Sequence, residues 1–267
     1  MSRRFRNDFI NEESFGAEIN TLDEVAATTV AMAGGFTYNQ VGAAGTLAQS
    51  NVFEPFWLAS HTAGAAEIAL LSSTNSPFNF VVGQPIRFIA DITFQLLATE
   101  LNLFVGCGNA MATAMTVTAG GGMKVTGQHF GFYTPDSSSV LFAGAALQDL
   151  IYAVSMHNDI AQITPLNAAN TINRQAYPVA VGTRYQFQAD WVPTGLVGGT
   201  TDVIFQAAVE FKIDGQVVAV HEQPLITPAN TDIMQFGIYT ENITDIITYE
   251  IRQLKCRQLR ALSQFGG

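Results

Sequence analysis

Glu210 and Asp214, four residues apart in VEFKIDG, come nearest in this chain to a paired-acid motif. Jelly-roll glycosidases that retain configuration carry two acids on one strand, often as E-x-D-x-x-E, because that holds the carboxyls about 5.5 Å apart. Here the second acid falls in Asp214-Gly215, where a hairpin turn uses it for backbone geometry. The four histidines, His61, His129, His157 and His221, have no metal spacing with one another, and no H-E-x-x-H occurs. His157-Asn158-Asp159 offers ligand atoms for calcium or zinc but reads as a solvated loop. A structural calcium held by carbonyl oxygens would leave no sequence trace. No G-x-S-x-G, Walker A or G-x-G-x-x-G is present, and AGGGM at 119–123 lacks the strand–helix context of a phosphate loop. Asn242-Ile243-Thr244 is a formal sequon of a length that chance supplies. The chain is expected to be non-enzymatic and to need no cofactor.

Binding chemistry has more candidates. Sugars stack on aromatic rings, and Trp57, Tyr133 and Tyr239 are the residues expected to offer them. Trp191 is in phase with Tyr185 and Phe187 and reads as core. Cys107, in LFVGCGNA, reads as a buried thiol. Cys256 stands among basic residues, which would lower its thiol pKa, but no partner base accompanies it. Two cysteines give no framework, and their pairing stays open.

The chain has 267 residues, 48% hydrophobic and only 13% charged, about half the usual ~25%. All 22 acidic residues lie between Asp8 and Glu250, against five basic ones there, so the body carries a net −17. The other seven basic residues, Arg3, Arg4, Arg6, Arg252, Lys255, Arg257 and Arg260, sit at the two ends. An acidic body disfavours nucleic acid. Basic ends suit an acidic partner, including a second copy of the chain. No apolar run reaches the roughly 18 residues of a membrane-spanning helix. MSRRFRNDFI has the charge of a secretory n-region, but no apolar h-region follows. The expectation is a soluble protein made in a reducing cytoplasm.

The elements that would position these residues are strands. In QPIRFIADITFQLL, Ile86, Phe88, Ala90, Ile92 and Phe94 share one face, while Arg87, Asp91, Thr93 and Gln95 take the other. TRYQFQADWV alternates in the same way, and PTGLVGGTTD after it reads as a loop. Asp214-Gly215 between two apolar runs predicts a type I′ hairpin. AGAALQDLIYAVSM has helical composition, but LIYAVSM alternates and is read as strand. RQLKCRQLRAL is read as turning helical across a sheet edge. Residues 1–24 are read as an extended arm or short helix, and residues 25–267 as one all-β sandwich domain with a basic tail.

The succession TRYQFQADWV, FKIDGQVVAV, MQFGIYTEN, ITYEIRQLK resembles the carboxy-terminal part of concanavalin A-like (laminin G-like) jelly rolls. More narrowly, the opening Asn7-Asp8-Phe9 and the stretch LQDLIYAVSMHNDIAQITPL resemble virion structural proteins of tailed bacteriophages that use this fold. The resemblance covers most of residues 80–260 and implies a capsid decoration or cement protein on the virion surface, made in the host cytoplasm. Its implied partners are the major capsid protein and copies of itself, with a trimer matching a local threefold. Arg3, Arg4, Arg6 and Phe9 of the arm, with Arg257 and Arg260 of the tail, would make those contacts. The alternative is a glycan-binding, lectin-like module acting in adhesion.

Overall fold

A computed structural model describes residues 9–14, 29–31, 36–41, 45–49, 57–61, 67–73, 78–79, 85–96, 101–109, 128–134, 150–157, 160–198, 203–226, 233–242 and 247–258. In the first third these form β1 (Phe9–Ser14), β2 (Thr29–Ala31), β3 (Phe36–Val41), β4 (Gly45–Gln49), β5 (Trp57–His61), β6 (Glu67–Ser73) and β7 (Phe78–Asn79). The middle supplies β8 (Ile86–Leu96), β9 (Leu101–Asn109), β10 (His129–Thr134), β11 (Tyr152–His157) and β12 (Ile160–Pro165). The last third supplies β13 (Arg184–Gly198), β14 (Val203–Ile213), β15 (Gln216–Ile226), β16 (Ile233–Asn242) and β17 (Ile247–Gln258). Among the described residues no helix occurs.

The strands make two antiparallel sheets, the expected jelly-roll sandwich. The first runs β15-β14-β13-β8-β17-β5-β4, with β1 also on β17. The second runs β12-β11-β10-β9-β16-β6-β3-β2, with β7 also on β16. Between them lies the core. Ile86, Phe88, Ala90, Ile92 and Phe94 of β8 and Tyr185, Phe187, Ala189 and Trp191 of β13 enter it from one side. Val105, Phe130, Phe132, Phe236 and Ile238 enter from the other. Phe132 meets Phe187 and Phe211 at centroid distances of 4.8 and 5.5 Å, within the range of favourable ring pairs.

Two local expectations are corrected. RQLKCRQ does not turn helical: β17 continues through Gln258. A register shift between Ile251 and Gln253 changes the phase, so Leu254 and Cys256 stay on the core side after Tyr249 and Ile251. Pro193–Gly198, read as loop, belongs to β13, which passes Pro193 through another register shift. A proline has no N–H for the ladder, so an irregularity there is expected. Within the arm, Phe9–Ser14 form β1 and pair with Gln253–Gln258 of the same chain. The DG hairpin holds as read: Ile213 faces Gln216, and Asp214 and Gly215 take φ of 52° and 79°.

Among the described residues, β9, β10, β11 and β16 of the second sheet carry buried side chains on both faces. Phe104, His129, Tyr133, Tyr152, Val154, Met156 and Tyr239 are buried yet lie outside the core between the sheets, as strand alternation requires. On this far face Gly106 stands opposite Gly131, with the Phe104 ring against both. A Cβ on Gly131 would lie 2.3 Å from the Val105 carbonyl oxygen and 2.7 Å from Gly106 Cα.

Candidate functional site

The outward face of the first sheet gathers the polar side chains that alternation pushes out of the core. Across β14, β13, β8 and β17 the register sets Glu210, Asp190, Arg87 and Arg257 in one row. The next row holds Lys212, Gln188, Ile89 and Lys255, and a third holds Gln186, Asp91 and Gln253. Cross-strand neighbours a few ångströms apart must be complementary in charge or repel, and here the carboxylates are the hubs. Asp190 accepts from Arg87 Nε at 2.8 Å and Nη2 at 3.1 Å, from Gln188 Nε2 at 2.7 Å and from Lys212 Nζ at 3.2 Å. Lys212 also pairs with Glu210. The Asp190 hydrogen bond holds the Arg87 pKa above its ordinary value against the cost of burial. Burial works against the Lys212 charge too, but hydrogen bonds to Glu210 and Asp190 outweigh it and raise its pKa.

At the end of this face, beside the DG turn, Asp91, Arg184, Gln186 and Asp214 line an open depression of about 480 Å³. Arg184 forks onto Asp91, Nε to Oδ1 at 2.8 Å and Nη2 to Oδ2 at 2.6 Å. The carboxylate is buried, while the Arg184 side chain keeps 54% of its surface. Its position is set by the segment before β13: Gly182 N donates to Phe94 O at 2.7 Å and Phe94 N to Thr183 O at 3.1 Å. Asp214 Oδ1 accepts the Gln186 backbone N–H at 2.9 Å. The depression is therefore lined by a guanidinium, a side-chain amide and two carboxylates, with Arg184 and Asp91 paired to each other. That set suits hydrogen bonding to the hydroxyls of a polyol. Outside the depression, the two acids that are cross-strand neighbours on this face, Glu210 and Asp190, are both paired with Lys212. Among the described residues no group of three or more His, Cys, Asp or Glu side chains is placed to hold a metal.

A second polar cluster is internal. His221 of β15 bonds Ser155 Oγ through Nδ1 at 2.8 Å and Thr164 Oγ1 through Nε2 at 2.9 Å. These bonds join an edge of the first sheet to β11 and β12 of the second. Burial lowers the His221 pKa to about 4. The Ser–His pair does not resemble a nucleophile: Ser155 is fully buried, and the group behind the imidazole is a hydroxyl rather than a carboxylate.

The expected sugar-stacking residues are corrected. Tyr133 is 2% exposed and Tyr239 1%, so neither ring presents a face to solvent. Trp57 is a β5 residue whose side chain lies outside the described residues, as does that of Phe9 on β1. Arg3, Arg4, Arg6 and Arg260 also lie outside the described residues. Arg257 is in β17 opposite Arg87, away from the depression. The basic surroundings expected of the Cys256 thiol are corrected: Cys256 faces the core, and Lys255 and Arg257 alternate to the other side of the sheet. Sequence reasoning had Arg184, Gln186 and Asp91 on wet faces but missed that strand register brings them to one place. The available signal was the side-by-side occurrence of oppositely charged residues on two alternating strands.

No family model and no curated protein matches the chain. Solved structures do match in fold. A protein of unknown function from Shewanella oneidensis MR-1 superposes with a TM-score of 0.52 at 9% identity, over 97% of this chain and 90% of that one. Peanut lectin with a nine-residue peptide gives 0.50 at 8% identity, over 94% and 97%. A Bacteroides ovatus GH16 protein in complex with product gives 0.47 at 8% identity, over 88% and 100%. The chain has the concanavalin A-like, legume-lectin-like jelly-roll fold. Neither of the first two matches is described as a virion protein.

Proposed function

We propose that this chain is a carbohydrate-binding module that works by recognition rather than by bond cleavage. The observation that carries the reading is the depression at Asp91, Arg184, Gln186 and Asp214, where fixed donors and acceptors converge on a polar sheet face. Peanut lectin has the same fold, which lends the reading a precedent in architecture and nothing more. The Arg184–Asp91 fork holds both side chains in place before a ligand arrives, which lowers the ordering cost of binding.

A glycan array probed with the purified chain tests this directly, followed by calorimetry on whichever glycan is retained. Arg184→Ala and Gln186→Ala should each weaken binding about tenfold, the ~1.4 kcal/mol expected for one lost hydrogen-bonding group. Binding unchanged in both variants would move the site elsewhere. No retained glycan, together with salt-sensitive association of the basic ends with acidic bodies, would favour the capsid-decoration reading instead.

A further inference from the structure

Cys107 and Cys256 are 149 residues apart in sequence, yet their sulfurs lie 3.8 Å apart, one thiol donating to the other. They come from opposite sheets: Cys107 from β9, Cys256 from β17. Both are buried in the core between the sheets. Each sits across from a phenylalanine of its own sheet, Cys107 opposite Phe236 and Cys256 opposite Phe88. Those two rings meet edge to face at 6.4 Å, so the gap between the sheets is set immediately beside the thiols. A sulfur–sulfur bond needs about 2.05 Å, so the two sulfurs must close by roughly 1.8 Å from where they stand.

We propose that Cys107 and Cys256 are a disulfide-forming site that staples one sheet to the other when the chain folds in the presence of an oxidant. The oxidant class is a small-molecule disulfide such as oxidised glutathione. One cysteine thiolate attacks it, forming a mixed disulfide and releasing one glutathione thiolate. The second cysteine thiolate then attacks the mixed disulfide, forming the Cys107–Cys256 bond and releasing the second. The two protons lost by the cysteines go to the two released thiolates; the chain is oxidised by two electrons and the glutathione disulfide reduced. Timing follows from burial. Both thiols are shut in the core, out of reach of an oxidant, and desolvation, reinforced by the hydrogen bond and charge of Cys256, raises the Cys107 pKa well above its ordinary value. The exchange therefore belongs to the opening or folding chain, and once formed the bond is shielded from reductant by the same packing.

The full chain, unfolded in denaturant with reductant, is refolded once in reduced and once in oxidised glutathione, then analysed by intact mass and thiol titration. Refolding in oxidised glutathione should give an intramolecular product about 2 Da lighter, with no free thiol, melting at least about 5 °C higher than the reduced fold. The natively folded reduced chain should react with a thiol reagent at least about tenfold more slowly than the unfolded one, as buried thiols do. Disulfide-linked dimers, glutathione adducts as the end product, two free thiols, or a melting point no higher than that of the reduced chain would each overturn the proposal. Because the mass measurement uses the unaltered chain, it stands even if a Cys107→Ala variant fails to fold.

Discussion

Replacing His129 by Phe should make the protein more stable, and more so in acid. His129 is buried on the far face of the second sheet, edge to face with Phe104 at 5.8 Å. Neither of its ring nitrogens has a hydrogen-bond partner among the described residues. Burial lowers its pKa from 6.5 to about 3. The folded chain therefore keeps this imidazole neutral down to about pH 3, while the unfolded chain takes up a proton below pH 6.5. The unfolded state then binds more protons, and stability falls as pH drops from 6.5 towards 3. With these two pKa values the single residue removes about 2 kcal/mol at pH 5 relative to pH 7.5. At neutral pH, Phe relieves the buried unpaired nitrogens, worth about 1–3 kcal/mol. Urea unfolding followed by tryptophan fluorescence at both pH values measures the difference. His129→Phe should gain about 1–3 kcal/mol at pH 7.5 and about 2 kcal/mol more at pH 5. A gain equal at the two pH values would refute the argument that the imidazole is held neutral by burial.

Other features lead to equally direct tests. Gly131→Ala puts a methyl 2.3 Å from the Val105 carbonyl oxygen; it should cost about 3 kcal/mol or more, and a loss below about 1 kcal/mol in urea would contradict that packing. Asp190→Ala removes the shared acceptor of Arg87, Gln188 and Lys212; a loss of about 2 kcal/mol is expected, with a double-mutant cycle against Arg87→Ala giving at least about 1 kcal/mol of coupling. Strict additivity would dismiss the Asp190 hub. Ser155→Ala strips the partner from His221 Nδ1 and should lower stability by about 1–3 kcal/mol with no change in secondary structure by circular dichroism.

Much of the fold was readable because alternation is a local property. β8 and β13 showed it over ten or so residues, and the DG pair fixed the β14–β15 hairpin. LIYAVSM gave a strand against its helical composition, since its neighbours in space decide. The end of β17 was misread for a definite reason: the irregularity at Arg252 shifts the phase, so Leu254 and Cys256 fall out of step with Tyr249 and Ile251 and imitate a helical spacing. Tyr133 and Tyr239 point away from the core between the sheets, as a wet-face reading requires. Their burial comes from packing on the far side of the sheet, which no strand pattern reports. The depression was illegible because Asp91 and Arg184 are far apart in sequence, and only register makes them partners.

The middle of each sheet joins a strand from the first half of the chain to one near its end. Phe94 of β8 pairs with Tyr249 of β17, and Gly106 of β9 with Gly237 of β16. During synthesis one edge of β8 and one edge of β9 must therefore wait for a partner made more than 100 residues later, an interval of about 10–30 s at ordinary translation rates. Until then they are exposed strands with unsatisfied edges, the form most prone to aggregate or to recruit a chaperone. Yield in a cell should then depend on translation speed and chaperone supply more than on the stability of the finished sandwich.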